Sequence, residues 1–241
     1  MQWYDDNSVR NHVAAARSAM PIDVYIAGFP CQSFSVAGIG AGVTDTSRGV
    51  IVKDCIATIA AGNPKVFILE NVKGLLTQHG KTLQVIVASL KKLPYDIMAR
   101  VLNTCDHGIP QNRERIYIIG IRKDCNRSTF SWPPSIGSVD LKYVLDPAVR
   151  RPSAHDLPPV TQRTARRQLL AAMASIVQKG HHPFSEDFVI NVGASKFHRM
   201  LNKSPCLTRS RAGAHWMSSR GRCMTTAEML RLNVLIRSLL M

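Results

Sequence analysis

The amino-acid sequence predicts an α/β fold, a partial doubly wound sheet accompanied by a smaller, irregular lobe. Three short apolar segments rich in β-branched residues, 22–27, 66–69 and 116–121, are typical of buried parallel strands. Apolar residues recur at spacings of three and four between the first two segments and after the second, which predicts amphipathic helices there. Strands that alternate with helices favour a sheet covered by helices on both faces.

The individual helices and the second lobe are predicted from local signals. The helix patterns comprise Ile51, Cys55, Ile56 and Ile59, and then Leu83, Ile86, Val87, Leu90 and Leu93. From Thr129 onward the chain is rich in Pro, Ser and Arg and shows no strand repeat, which predicts a linker into the irregular lobe. That lobe is expected to contain a helix over 161–179 that stops at Gly180 and another that begins at the capping-box pattern Thr225-Thr226-Ala227-Glu228.

The charge distribution favours a polyanionic partner such as nucleic acid. The 241 residues include 31 Lys and Arg against 16 Asp and Glu, a formal net charge of +15. Residues 1–130 carry an excess of +5 and residues 131–241 an excess of +10. The second part is therefore the expected electrostatic footprint. Because charge alone fits a merely basic protein nearly as well, the motifs have to decide.

The cysteines and the hydropathy pattern limit the cellular compartments in which the protein is expected. Six cysteines are scattered along the chain without metal-ligand spacing, so no metal site is predicted. No secretory signal pattern and no apolar stretch of membrane-spanning length is evident in the sequence. We expect an intracellular protein, in the nucleus of a eukaryote or in the cytoplasm and nucleoid of a bacterium, where a thiol stays reduced.

A cysteine follows the first predicted strand directly, within Gly28-Phe29-Pro30-Cys31-Gln32. It therefore lies at the carboxyl edge of the sheet, where open α/β sheets bind ligands. Backbone amides of such a Gly- and Pro-containing loop can stabilise a thiolate. A lone cysteine is more often a small apolar residue in a turn, but Pro-Cys-Gln in this setting favours a nucleophile at Cys31.

Two charged motifs lie at the ends of the other predicted strands. Glu70 follows 66–69, and an acid at the end of a buried strand is costly unless it is paired, hydrogen-bonded or functional. Arg113 and Arg115 run into 116–121 and share one face of an extended segment, because side chains two apart point the same way. Taken singly, Glu70 also fits a helix N-terminal acid, and the arginine pair a solvated basic edge.

In order and spacing, these three constellations resemble the signature motifs of the cytosine-5 methyltransferase family. They are Pro30-Cys31-Gln32, Glu70-Asn71-Val72 and the Gln-x-Arg-x-Arg pattern over 111–115. Further similarity runs through 45–49, 106–110, Ser204-Pro205-Cys206-Leu207-Thr208 and 222–232, and it covers most of the chain except about 129–191. The resemblance implies a Rossmann-like methyltransferase domain at 1–130, a target-recognition region at 131–222, and a helix at 223–241 that returns to the catalytic domain.

The resemblance also implies a chemistry and the residues that perform it. Cys31 would add to carbon 6 of a cytosine flipped out of double-stranded DNA, because carbon 5 is otherwise a poor nucleophile. Glu70 would hydrogen-bond or protonate ring nitrogen 3, and Arg113 and Arg115 would orient the base and the adduct. Phosphate contacts are expected from the basic residues of the second lobe: Lys196, Arg199, Lys203, Arg209, Arg211, Arg220 and Arg222.

The implied cofactor is S-adenosylmethionine, with Asp6 and Pro30 as its candidate contacts. Family members begin with a strand and a Gly-rich loop, and they close with a Gly-Asn motif. Neither feature is recognisable in this sequence. From this difference we expect a truncated relative, or a fragment, that binds DNA in a salt-sensitive manner and transfers little methyl by itself.

Two other functions remain open from the sequence. A non-catalytic or degenerate DNA-binding relative would need the basic lobe but no cofactor. The intact Cys31, Glu70, Arg113 and Arg115 argue against it. An RNA cytosine-5 methyltransferase is less favoured, because that branch typically shows Pro-Pro-Cys-Gln-Pro-Phe-Thr, whereas this chain has Phe29-Pro30-Cys31-Gln32-Ser33.

Overall fold

The computed structural model describes residues 22–29, 49–194, 196–208 and 213–234. The chain divides into two compact units. The first comprises Met1–Leu102 and Glu114–Pro133, and the second comprises Asn103–Arg113 and Pro134–Met241. Among the described residues, no helix is long and apolar enough to cross a membrane.

The first unit is a mixed four-stranded sheet with helices. Its elements are β1 (Val24–Gly28), α1 (Gly49–Gly62), β2 (Val66–Val72), α2 (Gly74–Thr77), α3 (Gly80–Leu90), β3 (Tyr95–Asn103) and, after a short excursion of the chain, β5 (Glu114–Arg122). The strand order is β1-β2-β5-β3. The α/β class, the first two strands and both predicted helices are thus confirmed.

The direction of the third predicted strand is corrected by the structure. β1 is parallel to β2, as expected, but β5 runs antiparallel to β2, with Val66 opposite Ile121 and Val72 opposite Arg115. An apolar run carries no information about strand direction, which explains the error. β3 was not predicted, because its polar residues Asp96 and Arg100 interrupt any clear alternation.

The hydrophobic core of the first unit lies on one face of this sheet. Phe67 and Leu69 of β2 are fully buried there, together with Ile59 of α1, and the ring of Phe67 packs edge-on against Tyr95 with centroids 5.1 Å apart. Gly120 of β5 makes room for that ring, since a Cβ at this position would stand 2.1 Å from it. On the opposite face, Val24 and Ile26 of β1 are 53% and 66% exposed, so among the described residues helices cover one face.

The second unit is more regular than the sequence indicates. It contains β4 (Gln111–Asn112), α4 (Arg163–Gln178), β6 (Phe188–Asn191), β7 (His198–Leu201), β8 (Ser204–Pro205), β9 (His215–Met217), β10 (Arg222–Cys223) and α5 (Thr226–Val234). Four of its strands form a sheet in the order β10-β9-β6-β7, and β4 pairs with β8. Strands of two to four residues are too short to display an alternating pattern, which explains why the sequence of this lobe shows no strand repeat.

Both helix predictions for this unit are confirmed. α4 ends at Gln178. Two residues later, Gly180 has a φ of +78°, a left-handed conformation that favours glycine. At α5, Thr225 and Glu228 form the predicted capping box. The Glu228 backbone N–H donates to Thr225 Oγ1 (3.2 Å), and the Thr225 backbone N–H donates to Glu228 Oε2 (2.7 Å).

Candidate active site

The ends of β1 and β2 meet at the carboxyl edge of the sheet. Gly28, the last residue of β1, stands directly opposite Glu70 in the parallel register. The Glu70 carboxylate lies over this position, since a Cβ on Gly28 would be 3.4 Å from Oε2. The chain therefore leaves β1 beside Glu70, three residues before Cys31. Cys31 and Pro30 themselves, like Asp6, lie outside the described residues.

A buried amide holds the segment that leads to Cys31. Asn71 is 2% exposed, and its Nδ2 donates to the backbone carbonyl of Phe29 at 3.3 Å, while its Oδ1 accepts from the Val72 backbone N–H at 2.8 Å. Phe29 is itself buried in the core. Sequence reasoning did not single out Asn71. The available signal was a polar residue on the face of β2 that otherwise carries Phe67 and Leu69.

Arg115 reaches Glu70 because β5 is antiparallel. The first residues of β5 lie at the same edge as the last residues of β2, and Arg115 Nε stands 3.2 Å from Glu70 Oε1. The two side chains are 15% and 29% exposed. Next to them, Lys73 Nζ contacts Glu114 Oε1 at 2.7 Å. Two of the predicted site residues, Glu70 and Arg115, are thus brought together as a partly buried ion pair.

Arg113 belongs to the second unit, where a second amide holds its backbone. Asn103 Oδ1 accepts from the backbone N–H groups of Arg113 (3.1 Å) and Cys105 (3.3 Å), and Asn103 Nδ2 donates to Asn112 Oδ1 at 2.7 Å. Asn103 therefore contacts the Gln-x-Arg segment through the Arg113 backbone and the Asn112 side chain, and it links this segment to the backbone of Cys105. The sequence analysis missed this residue, because an Asn in a loop is usually a turn residue.

The Arg113 side chain is placed beside Cys206. Its Nη1 lies 3.7 Å from Cys206 Sγ. The two segments are joined by the β4–β8 pairing, in which Gln111 stands opposite Ser204, and Ser204 N donates to the Pro110 carbonyl at 2.7 Å. The stretch 204–208, which the resemblance selected, thus supports the arginine motif within the second unit.

A buried histidine lies in the same unit, on β9. His215 has no exposed surface, and burial lowers its pKa to about 4, against a smaller opposing effect of the Cys206 backbone. Desolvation penalises the charged imidazolium, so the neutral ring is the form that this environment stabilises at neutral pH.

Two basic residues expected at the DNA surface are engaged in ion pairs within the unit. Arg222 makes two contacts of 2.8 Å with Glu228, which is fully buried. Burial opposes ionisation of Glu228, yet Arg222 and the backbone N–H groups of Thr225 and Asp146 hold its pKa at about 2. Arg220 similarly contacts Asp187 at 3.3 Å. Both guanidiniums therefore have internal carboxylate partners.

Comparison with solved structures identifies the class of fold. The chain is similar to a structure described as a prophage-encoded DNA modification methyltransferase of E. coli, with a TM-score of 0.58 and 19% sequence identity over 95% of this chain and 74% of that one. At this identity the likeness concerns the fold alone. It is the α/β fold of a methyltransferase.

The family follows from the sequence match. The model of the C-5 cytosine-specific DNA methylases matches residues 4–234, and the chain belongs to this family. It is 47% identical over 119 residues to the type II methyltransferase M.HaeII of Haemophilus aegyptius and 44% identical over 112 residues to M.HhaI of Haemophilus parahaemolyticus. The matches cover 49% and 46% of this chain but 36% and 34% of those proteins, so the chain spans about a third of their length. The family implies S-adenosylmethionine as methyl donor.

Proposed function

We propose that this chain contributes the catalytic residues for transfer of a methyl group from S-adenosylmethionine to carbon 5 of cytosine in double-stranded DNA. The observation that carries the proposal is the register of Gly28 against Glu70, reinforced by the hydrogen bond from Asn71 to the Phe29 carbonyl. Together they support a Pro-Cys-Gln segment that begins beside an acid. Action on genomic DNA would place the protein in the nucleoid or the nucleus.

The thiolate of Cys31 adds to carbon 6 of a flipped-out cytosine, which makes carbon 5 an enamine carbon. Glu70 hydrogen-bonds or protonates ring nitrogen 3 and so accepts part of the electron density that the addition creates. Once carbon 5 carries the methyl group, loss of the carbon 5 proton restores the double bond and expels Cys31. Arg115, paired with Glu70, and Arg113, held by Asn103, orient the base and the adduct.

The methyl donor would supply an electrophilic methyl on a sulfonium centre. Pro30 and Asp6 are its proposed contacts. Gly28 has no side chain, and the Glu70 carboxylate lies 3.4 Å from the position that a Cβ would take. Both residues lie at the carboxyl edge of the sheet, where ligands of open α/β sheets bind.

The proposal is tested by exchange of the hydrogen on carbon 5, which needs only thiolate addition and reprotonation. A DNA duplex tritiated at carbon 5 of cytosine is incubated with the chain, with and without S-adenosylmethionine, and tritium released to water is counted. We expect Cys31→Ser to abolish the release. Cys125→Ser is the matched control, because Cys125 is a free, partly exposed thiol of the same unit.

Equal release by the parent and the Cys31→Ser variant would assign the attack to another residue. A complementary measurement uses 5-fluorocytosine DNA with S-adenosylmethionine. Fluorine replaces the carbon 5 hydrogen, so the proton loss that releases the thiolate is blocked. We expect any covalent complex that resists denaturation to carry the Cys31 peptide by mass spectrometry. A cross-link on any other cysteine contradicts the assignment.

A further inference from the structure

The outer face of α4 carries a set of arginines without acidic partners. α4 contains Arg163, Arg166 and Arg167 in its first five residues and no Asp or Glu anywhere. Arg163 and Arg167 are exposed and lie one helical turn apart, whereas Arg166 is half-buried and donates from Nη1 to the Pro158 carbonyl at 3.1 Å. The opposite face of the helix packs into the core through Leu169, Ala172 and Ile176.

This arrangement is unfavourable for the helix itself. The N-terminal turn is the positive end of the helix dipole, where cations are destabilising, and like charges one turn apart repel each other. The acids that flank α4 in sequence have other partners: Asp156 pairs with Arg150, and Glu186 with His181. Within the described parts of the chain, neither Arg163 nor Arg167 has a carboxylate within ion-pair distance.

Such a face is stabilised by an external anion. Of the seven basic residues that the sequence suggested for this purpose, Arg220 and Arg222 already pair with Asp187 and Glu228. The arginines of α4 do not. Their spacing of one turn, about 5–6 Å between Cβ atoms, lets two flexible guanidiniums reach neighbouring phosphates of one strand, whose spacing is of similar size. Duplex DNA carries such phosphates along its whole length.

We propose that the exposed face of α4, through Arg163 and Arg167, binds the phosphate backbone of duplex DNA. This inference rests on the proposed function, because it takes DNA as the substrate. The contacts carry no sequence information. They add to affinity and fix the orientation of the second unit on the duplex.

The test measures binding of the full chain to a labelled duplex by fluorescence anisotropy between 50 and 200 mM salt. In Arg163→Gln/Arg167→Gln, the slope of log affinity against log salt should fall by about 1.8, since each phosphate contact to B-DNA contributes about 0.9. Lys91→Gln/Lys92→Gln removes two exposed charges from the first unit and should keep the parent slope. Arg163→Lys/Arg167→Lys should retain most of the parent slope, because the charges remain.

Thermal unfolding at low salt provides a readout that a structural role would move in the other direction. Removal of two unfavourable charges should leave the unfolding temperature of the glutamine variant unchanged or higher, whereas loss of a fold-stabilising contact would lower it. The proposal is overturned if Arg163→Gln/Arg167→Gln keeps the parent slope. It is also overturned if the slope of Lys91→Gln/Lys92→Gln falls by the same amount as that of Arg163→Gln/Arg167→Gln. Competition with poly-L-glutamate is a further test. If it displaces DNA from the parent but not from Arg163→Gln/Arg167→Gln, the proposal is overturned, because the exposed face of α4 would then bind acidic protein.

The outcomes separate this inference from the proposed function. A variant that keeps the parent slope but still releases tritium in a Cys31-dependent manner overturns only the assignment of α4. A parent chain that binds no duplex at any salt concentration overturns both.

Discussion

Arg113 and Arg115 stand two residues apart, yet the structure holds them by different means. Arg115 is held by charge, through its ion pair with the Glu70 carboxylate. Two of the contacts of Arg113 are with neutral groups, because its backbone N–H donates to the Asn103 amide oxygen and its guanidinium lies beside the Cys206 thiol. From this difference we expect Arg115 to depend on its ion pair and Arg113 to depend on the path of its backbone.

The largest effect is expected from Glu70, the charged half of this comparison. In Glu70→Gln the carboxylate can no longer supply a proton to the base, so tritium release should fall by about 10²–10⁴-fold, the range of general acid–base contributions. DNA affinity should change little. The matched control is Glu114→Gln, which removes an equally placed carboxylate that pairs with Lys73. Equal losses in both variants would mean that edge charge in general, rather than Glu70, matters.

The neutral half is tested at Asn103. Asn103→Ala removes the acceptor of the Cys105 backbone N–H and one of the two acceptors of the Arg113 backbone N–H, which also donates to the Gln111 carbonyl at 3.0 Å. We expect roughly a tenfold to hundredfold loss of release, since misplacement by about 1 Å has effects of that order. Asn103→Asp keeps an oxygen acceptor for both groups, and rotation of the Asn112 amide supplies a donor, so most activity should return.

Asn126→Ala is the control, because its amide binds Asp96 within the first unit. A structural defect alone would lower the amount of folded protein without changing the rate per folded molecule. If Asn103→Asp is as inactive as Asn103→Ala, the amide does not act through its acceptor oxygen, and the contrast between Arg113 and Arg115 is lost.

A smaller effect, on stability, is expected from the buried histidine of the second unit. The pKa of His215 is about 4 in the folded chain against about 6.5 when unfolded, so the unfolded state binds the extra proton between these values. The contribution of His215 to the free energy of unfolding is complete above pH 6.5 and is lost as pH falls toward 4. In urea unfolding, the free energy of unfolding should fall between pH 7 and pH 4.5. This fall should be about 2–3 kcal/mol smaller in His215→Gln than in the parent.

His155→Gln serves as the control for this measurement, because His155 is exposed. The control should lose as much stability as the parent over the same pH range. If the parent and His215→Gln respond alike, the buried ring is not the group that makes the second unit sensitive to acid.

The sequence allowed prediction of those elements that have a local physical signal. The helices follow from spacing, and the start of α5 from a capping box that satisfies its own backbone groups. The direction of β5 depends instead on its non-local pairing with β2. A parallel third strand would have put Arg115 near the other end of β2, roughly 13 Å from Glu70 at about 3.3 Å per residue.

The site residues divide in the same way. Glu70 and Arg115 were predicted from motif chemistry, and the structure brings them together. Asn71 and Asn103 were not singled out, although each fixes the backbone of a motif. The role of each amide depends on the carbonyl or N–H group to which it hydrogen-bonds. These partners are set only when distant segments of the chain come together. In this chain the charged motif residues could be predicted from the sequence more readily than the amides that hold the backbone of the motifs.

The buried carboxylate of Glu228 has a consequence for how the protein is made. Its two oxygens accept from Arg222, from the Thr225 backbone and from the Asp146 backbone, which precedes it by 82 residues. On a ribosome that adds roughly 5–20 residues per second, the Asp146 N–H waits about 4–16 s for its acceptor to be synthesised. During that interval the nascent second unit lacks the group that joins its first and last segments. A stop codon or a long translational pause shortly before residue 228 would therefore leave a chain that chaperones and proteases meet as unfinished.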